Sequence, residues 1–216
     1  MAVNPLRFAY AFRQGFEGRE LKPMSEELLE KAERIDRYML ILRDALAVSL
    51  ISLFMYWQSL SIFRVGLQLD NWKISVAMGS AAGLMRAGLA SAVNVSFPAV
   101  RRGPNKDYMR RGSLLLWVPS LLLGAFAEEL WIAICLVSFM ESAYPIGASV
   151  GLTVIAFGAI HFRYGFWAAA GIAMVGVFYC LLFLWTRSLI ATCLFHFIGN
   201  LGALYWSRTT LRNSPN

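Results

Sequence analysis

Two histidines, two adjacent glutamates and an asparagine lie where the surrounding sequence is apolar. Glu128 and Glu129 sit inside LLLGAFAEELWIAICL, His161 closes GLTVIAFGAIHF, and His196 and Asn200 lie inside LIATCLFHFIGNLGALYW. The chain has no third histidine. A glutamate and a histidine on different elements can share a water and polarise it for attack. His196 and Asn200, four apart, share one helix face, and both can donate hydrogen bonds to a single developing oxyanion. Phe157 and His161 have the same spacing. Together these are parts for hydrolysing an amide: a base, a water-positioning histidine and two oxyanion donors. Adjacent helical residues diverge by about 100°, so Glu128 and Glu129 are not a carboxylate dyad aimed at one point. One is expected to face the bundle interior, with the other supporting it or lying nearer an adjacent helix.

Other chemistry can use the same residues. A solitary intramembrane histidine also serves as an interhelical hydrogen-bond partner, and an asparagine one turn on can be packing glue. A Glu/His chain can relay protons in a carrier. Two histidines and a glutamate could hold zinc with water as the fourth ligand. However, HExxH is absent and each histidine is solitary on its helix. Zinc is therefore not favoured, and no cofactor is expected.

The elements that must position these residues follow from composition. The 216 residues are 58% hydrophobic, with a mean hydropathy of +0.55, against about 45–50% apolar residues in a soluble domain. The excess is clustered, which indicates an integral, multi-pass membrane protein. A spanning helix needs about 20 apolar residues. Six candidates appear, at 40–60, 74–100, 113–140, 146–161, 165–186 and 188–206. Backbone in lipid must satisfy its own hydrogen bonds, so the expected fold is an all-α polytopic membrane helix bundle.

Ahead of the first span, Leu28, Ala32, Ile35 and Met39 repeat at spacings of three and four. They predict an amphipathic helix on the membrane surface that runs into the span, with Ser25 placed to cap its start. Residues 1–38 read as a cytoplasmic N-terminal segment and 39–216 as the transmembrane domain, with a peptidase-like core at 113–206. Residues 1–23 do not read as a signal peptide.

The net charge of +7 does not predict a nucleic-acid partner, because lysine and arginine follow the loops. With a cytoplasmic N-terminus, one side receives the basic residues of the N-terminal segment. It also receives Arg101, Arg102, Lys106, Arg110, Arg111, Arg163, Arg208 and Arg212. The other side receives only Arg64, Lys73 and Arg187. That bias predicts both termini in the cytoplasm; the membrane is expected to be a bacterial or archaeal inner membrane. Trp57, Trp72, Trp117, Trp167, Trp185 and Trp206 fall near span ends, as interface anchors do. Cys135, Cys180 and Cys193 match no zinc or redox spacing and read as reduced packing residues.

EE at 128–129, FGAIH at 157–161 and HFIGN at 196–200 resemble the three motifs of the CAAX protease and bacteriocin-processing family (CPBP, or ABI). These intramembrane glutamic endopeptidases include the type II CAAX prenyl endopeptidases. Their pattern is EExxxR, then FxxxH, then HxxxN or HxxxD. Order and spacing agree over about residues 113–206. The resemblance implies that Glu128 and His161 activate water, that His196 and Asn200 stabilise the oxyanion, and that Glu129 and Phe157 support them. It implies peptide or protein substrates, prenylated or bacteriocin precursors, met at a membrane lipid boundary.

One position departs from the pattern. The motif's arginine falls at 133, where this chain has Ala133. An arginine beside two buried glutamates keeps at least one ionised. Arg86, inside AAGLMRAGLASA, is expected to supply that charge from another helix by pairing with Glu128 or Glu129; Arg163 is a weaker candidate. Loss of the arginine also fits a catalytically impaired member that acts as a membrane scaffold or bacteriocin-immunity protein.

Overall fold

The computed structural model describes residues 26–68, 70–96, 114–162 and 165–212. Six helices follow one another there: α1 (Glu26–Trp57), α2 (Trp72–Ser96), α3 (Leu114–Glu141), α4 (Ile146–Ile160), α5 (Phe166–Thr186) and α6 (Leu189–Arg212). No strand occurs among the described residues. Residues 1–25 with the expected Ser25 cap, residues 97–113 with Arg101, Arg102, Lys106, Arg110 and Arg111, and Arg163 lie outside the described residues, as do the side chains of Trp206, Arg208 and Arg212.

The amphipathic stretch and the first apolar run form a single 32-residue helix, α1. Leu42, Leu46, Leu50 and Leu53 line one of its faces and are 57–63% exposed. Such a leucine stripe suits hydrocarbon and not water. Its opposite face buries Arg37, Asp44 and Met55. Asp44 packs over Gly124 of α3, where an added Cβ would lie 3.1 Å from Oδ2. Its neutralising partner is next in the chain: Arg43 Nε donates to Asp44 Oδ1 at 2.7 Å. A charge inside an apolar run needs such a partner.

Three helical stretches are long and apolar enough to cross a membrane: Arg34–Trp57, Trp117–Glu141 and Ala169–Thr186. Ile146–Ile160 and Leu189–Tyr205 are apolar but shorter. The 15 residues of α4 rise about 22 Å at 1.5 Å per residue, less than the roughly 30 Å of a hydrocarbon core. The run expected at 74–100 forms α2, but its serines, glycines and Arg86 lower its hydropathy because that helix spends one face on a neighbour. A Cβ on Gly79 would collide with the Ala191 backbone, and one on Gly202 with Ala87. Small residues thus let α2 and α6 approach closely, as they do in membrane helix pairs.

The six helices pack with α3 at the centre. It touches α1, α4, α5 and α6, while α2 rests on α6 and α4 on α5. Ile132, Leu136, Phe157, Phe183 and Leu189 are among the fully buried side chains of the common core. The turn between α5 and α6 is held by local bonds. Arg187 takes a left-handed conformation (φ 49°) at the end of α5. The Ser188 hydroxyl then accepts from the Ala191 N–H at 3.4 Å and caps α6. Leu189 N–H donates to Gly66 O at 2.8 Å, tying the α1–α2 connection to the same corner.

Among the tryptophans expected as interface anchors, Trp57, Trp72, Trp167 and Trp185 are exposed. Trp117 is not: it is 4% exposed and lies under the Arg37 guanidinium, 3.0 Å from the ring centroid. Its large ring fills the α1–α3 contact and covers a buried arginine through a cation–π contact.

Candidate active site

The functional candidates come from four helices and meet around one imidazole. His196 on α6 is 6% exposed. Its Nδ1 lies 2.8 Å from Glu129 Oε1, and its Nε2 lies 3.8 Å from Glu128 Oε2. The divergence of two adjacent helical side chains is therefore spanned by a single ring. Glu129 is the deeper carboxylate, at 1% exposure. Its Oε2 has no hydrogen-bond partner among the described residues. Glu128 is partly accessible, with its side chain 31% exposed.

His161 stands just past the last residue of α4, at φ −97° and ψ 1°. Its backbone N–H closes the helix on Gly158 O at 3.0 Å. Its Nδ1 lies 2.8 Å from Phe157 O. A carbonyl oxygen can only accept, so Nδ1 is the donor and Nε2 keeps its lone pair in the neutral ring. That Nε2 faces the same carboxylate oxygen as His196, 3.8 Å from Glu128 Oε2. Phe157, 1% exposed, sets its edge against the His161 ring with centroids 4.7 Å apart. The four-residue spacing thus supplies a carbonyl and a packing surface for the histidine.

Asn200 lies one turn beyond His196. Its Oδ1 accepts a hydrogen bond from Arg86 Nη2 at 3.2 Å. Arg86 also donates from Nη1 to Tyr179 Oη at 2.9 Å and to His196 O at 3.4 Å. The expected pairing of Arg86 with Glu128 or Glu129 is corrected here. Arg86 forms an ion pair with neither glutamate; its charge reaches Glu129 only through space. The reason is steric and local. The guanidinium enters where α6 has Gly199, and a Cβ there would come within 2.6 Å of Nη1. That entry point faces the α6 backbone and Asn200, not α3.

Ala133, at the position of the motif's arginine, is 1% exposed and belongs to the apolar core. A guanidinium at that place would have to displace packed side chains.

Tyr179 is a site residue that the sequence reading missed. It is 1% exposed on α5, and its ring stacks on His196 with centroids 4.9 Å apart at 18°. It also meets Phe157 edge-on at 6.2 Å. Its only sequence signal is a phenol inside the apolar run GVFYCLL. A buried tyrosine hydroxyl needs a partner, but that rule does not name Arg86. Asp44 was equally visible, as an acid in LILRDALAV, through the rule that flagged Arg86.

Among the described residues, no set of three or more His, Cys, Asp or Glu side chains is arranged to hold a metal ion. Glu128, His161 and His196 converge at distances longer than hydrogen bonds. Chemically the arrangement offers two acceptors beside each other, Glu128 Oε2 and His161 Nε2. It also offers an imidazole edge and an amide on the adjoining α6 face.

The chain matches no curated protein and no solved structure. A family model does match, over residues 110–202, a little under half of the chain. Its description is type II CAAX prenyl endopeptidase Rce1-like. The match covers Glu128, Glu129, Phe157, His161, His196 and Asn200. It supports a membrane endopeptidase role, and with the long apolar helices it makes this an integral membrane protein. Over residues 110–202 the chain is similar to the type II CAAX prenyl endopeptidase Rce1-like family.

Proposed function

We propose that this chain is an intramembrane endopeptidase of glutamic type, with Glu128 as the base and no resident metal. The observation that carries the reading is the position of Glu128 Oε2, 3.8 Å from the Nε2 atoms of both His161 and His196. Two acceptors that close cannot bond each other. One water seated beside them can donate one hydrogen to Glu128 Oε2 and the other to His161 Nε2, leaving its lone pairs free. Attack of that water oxygen on a peptide carbonyl passes a proton to Glu128. The carboxyl then returns it to the leaving amine as the C–N bond breaks.

The tetrahedral oxygen would be held by His196 Nε2–H and by the Asn200 amide. For Nε2 to donate, the Glu129–His196 pair must hold two protons, one in the Oε1–Nδ1 contact and one on Nε2. Glu129 and Phe157 support the two imidazoles.

The substrate on this reading is a peptide or protein segment delivered from the membrane, with a prenylated C-terminus or a bacteriocin precursor as the leading classes. Both termini face the cytoplasm. The exposed leucine face of α1 meets lipid.

The test uses the purified full chain in lipid nanodiscs with an internally quenched farnesylated peptide ending in a CAAX sequence, and in parallel a bacteriocin-leader peptide. Cleavage by the wild-type chain that is abolished in Glu128→Ala supports the reading. Undiminished cleavage by Glu128→Ala ends it. A second reading, a catalytically impaired scaffold or immunity protein, is favoured by one observation, the packed alanine at 133. It predicts no turnover of either peptide.

A further inference from the structure

Arg86 lies on α2, outside the matched residues 110–202. We infer that Arg86 is a positioning residue that sets the orientation of both oxyanion donors, rather than a counter-charge for the glutamates. The inference rests on the oxyanion roles of His196 and Asn200 proposed above.

The argument begins with what a guanidinium can do. It has five N–H donors and accepts nothing. An asparagine amide has an oxygen at one end and an NH₂ at the other, and without a directing partner either end can face a given neighbour. Arg86 Nη2, at 3.2 Å, can bond only the oxygen. The amide is thereby fixed with Oδ1 toward α2 and with Nδ2, at the opposite end of the plane, released to donate elsewhere. Had a carboxylate stood at position 86, the amide would turn round and its donors would be consumed.

The same guanidinium reaches the second donor twice. Nη1 bonds the backbone carbonyl of His196 at 3.4 Å and the Tyr179 hydroxyl at 2.9 Å. Tyr179 in turn lies flat on the His196 ring, at 18° and 4.9 Å. One charged group from α2 therefore joins the α6 residue that carries the amide to the α5 residue that covers the imidazole. Gly199 supplies the necessary space, because any side chain there would meet the guanidinium within 2.6 Å. A buried arginine is costly in a membrane, and this one spends three hydrogen bonds on the neighbours of the two donors.

The test is a double-mutant cycle on the full chain in nanodiscs, with the farnesylated CAAX peptide and with thermal unfolding followed in parallel. Asn200→Ala should lower kcat by about 10²–10³-fold, the usual effect of one oxyanion donor. Arg86→Met should lower kcat by roughly 10–100-fold with KM within about twofold. In the Asn200→Ala background it should cost less than about threefold, because residues acting through one group are not additive. Arg86→Lys, which keeps the charge but loses the fork, should recover only part of the rate.

Multiplicative losses, a change confined to KM, or full recovery by Arg86→Lys would overturn the positioning role while leaving the peptidase reading intact. A wild-type chain that cleaves neither peptide, or an Asn200→Ala variant at full rate, overturns the reading beneath it. Should Arg86→Met fail to fold, Gly199→Ala displaces the same guanidinium sterically and enters the cycle in its place.

Discussion

Glu129 and His196 meet at 2.8 Å between Oε1 and Nδ1, across 67 residues of sequence and the contact of α3 with α6. The contact leaves the Nε2 edge of the ring to face Glu128. Two consecutive glutamates thereby make different contacts: the buried one meets Nδ1 of His196, and the partly exposed one faces the Nε2 atoms of both His196 and His161.

Removing the inner carboxylate should therefore damage both fold and rate. Glu129→Ala leaves Nδ1 buried without its partner, which costs about 1–3 kcal/mol. Thermal unfolding should show that loss, and kcat should fall as the ring loses its orientation. Glu129→Gln keeps a hydrogen-bonding oxygen and nitrogen at the same place and should be the milder variant on both counts. Equal effects of the two substitutions would mean that the contact does not orient the ring.

The outer carboxylate should behave in the opposite way. Glu128→Gln is nearly isosteric and its side chain is 31% exposed, so stability should change by no more than about 0.5 kcal/mol. Cleavage should fall by roughly 10²–10⁴-fold, the span expected for a general base. Steady-state cleavage alongside scanning fluorimetry separates the two effects.

Phe157 and His161 should separate along the same line. Phe157→Ala empties a fully buried site against Tyr179 and His161, a loss of about 3–5 kcal/mol for a large aromatic. His161→Ala removes a ring at the end of α4 and should leave the fold standing while kcat drops at least about 10²-fold. A His161→Ala protein that cleaves normally would remove this histidine from the water site.

Metal removal gives an independent check. A glutamic mechanism predicts that cleavage survives extended dialysis against a strong zinc chelator and that the active protein carries no stoichiometric zinc by elemental analysis. Activity lost to the chelator and restored by zinc would reassign Glu128, His161 and His196 as ligands.

Much of the architecture was legible before any coordinates. Lipid permits little besides helices, and apolar runs are local signals, so α1, α3 and α5 emerge directly from the chain. The spacing of four within 157–161 and 196–200 survived for the same reason, since i and i+4 share a helix face whatever the helix packs against. Less legible was α2, whose glycines and serines dilute its hydropathy while serving a helix contact. Trp117 looked like an interface anchor, and packing under Arg37 turned it inward.

The sequence by itself determined the inventory: helices, apolar faces, and a glutamate pair, two histidines and an asparagine on three of them. Only the tertiary structure decided which nitrogen meets which glutamate, and that Arg86 joins Asn200 and Tyr179 rather than the carboxylates. These contacts join positions 67 to 114 residues apart. Their geometry depends on how closely helices approach, and here a missing side chain at Gly199 sets where the charge can enter.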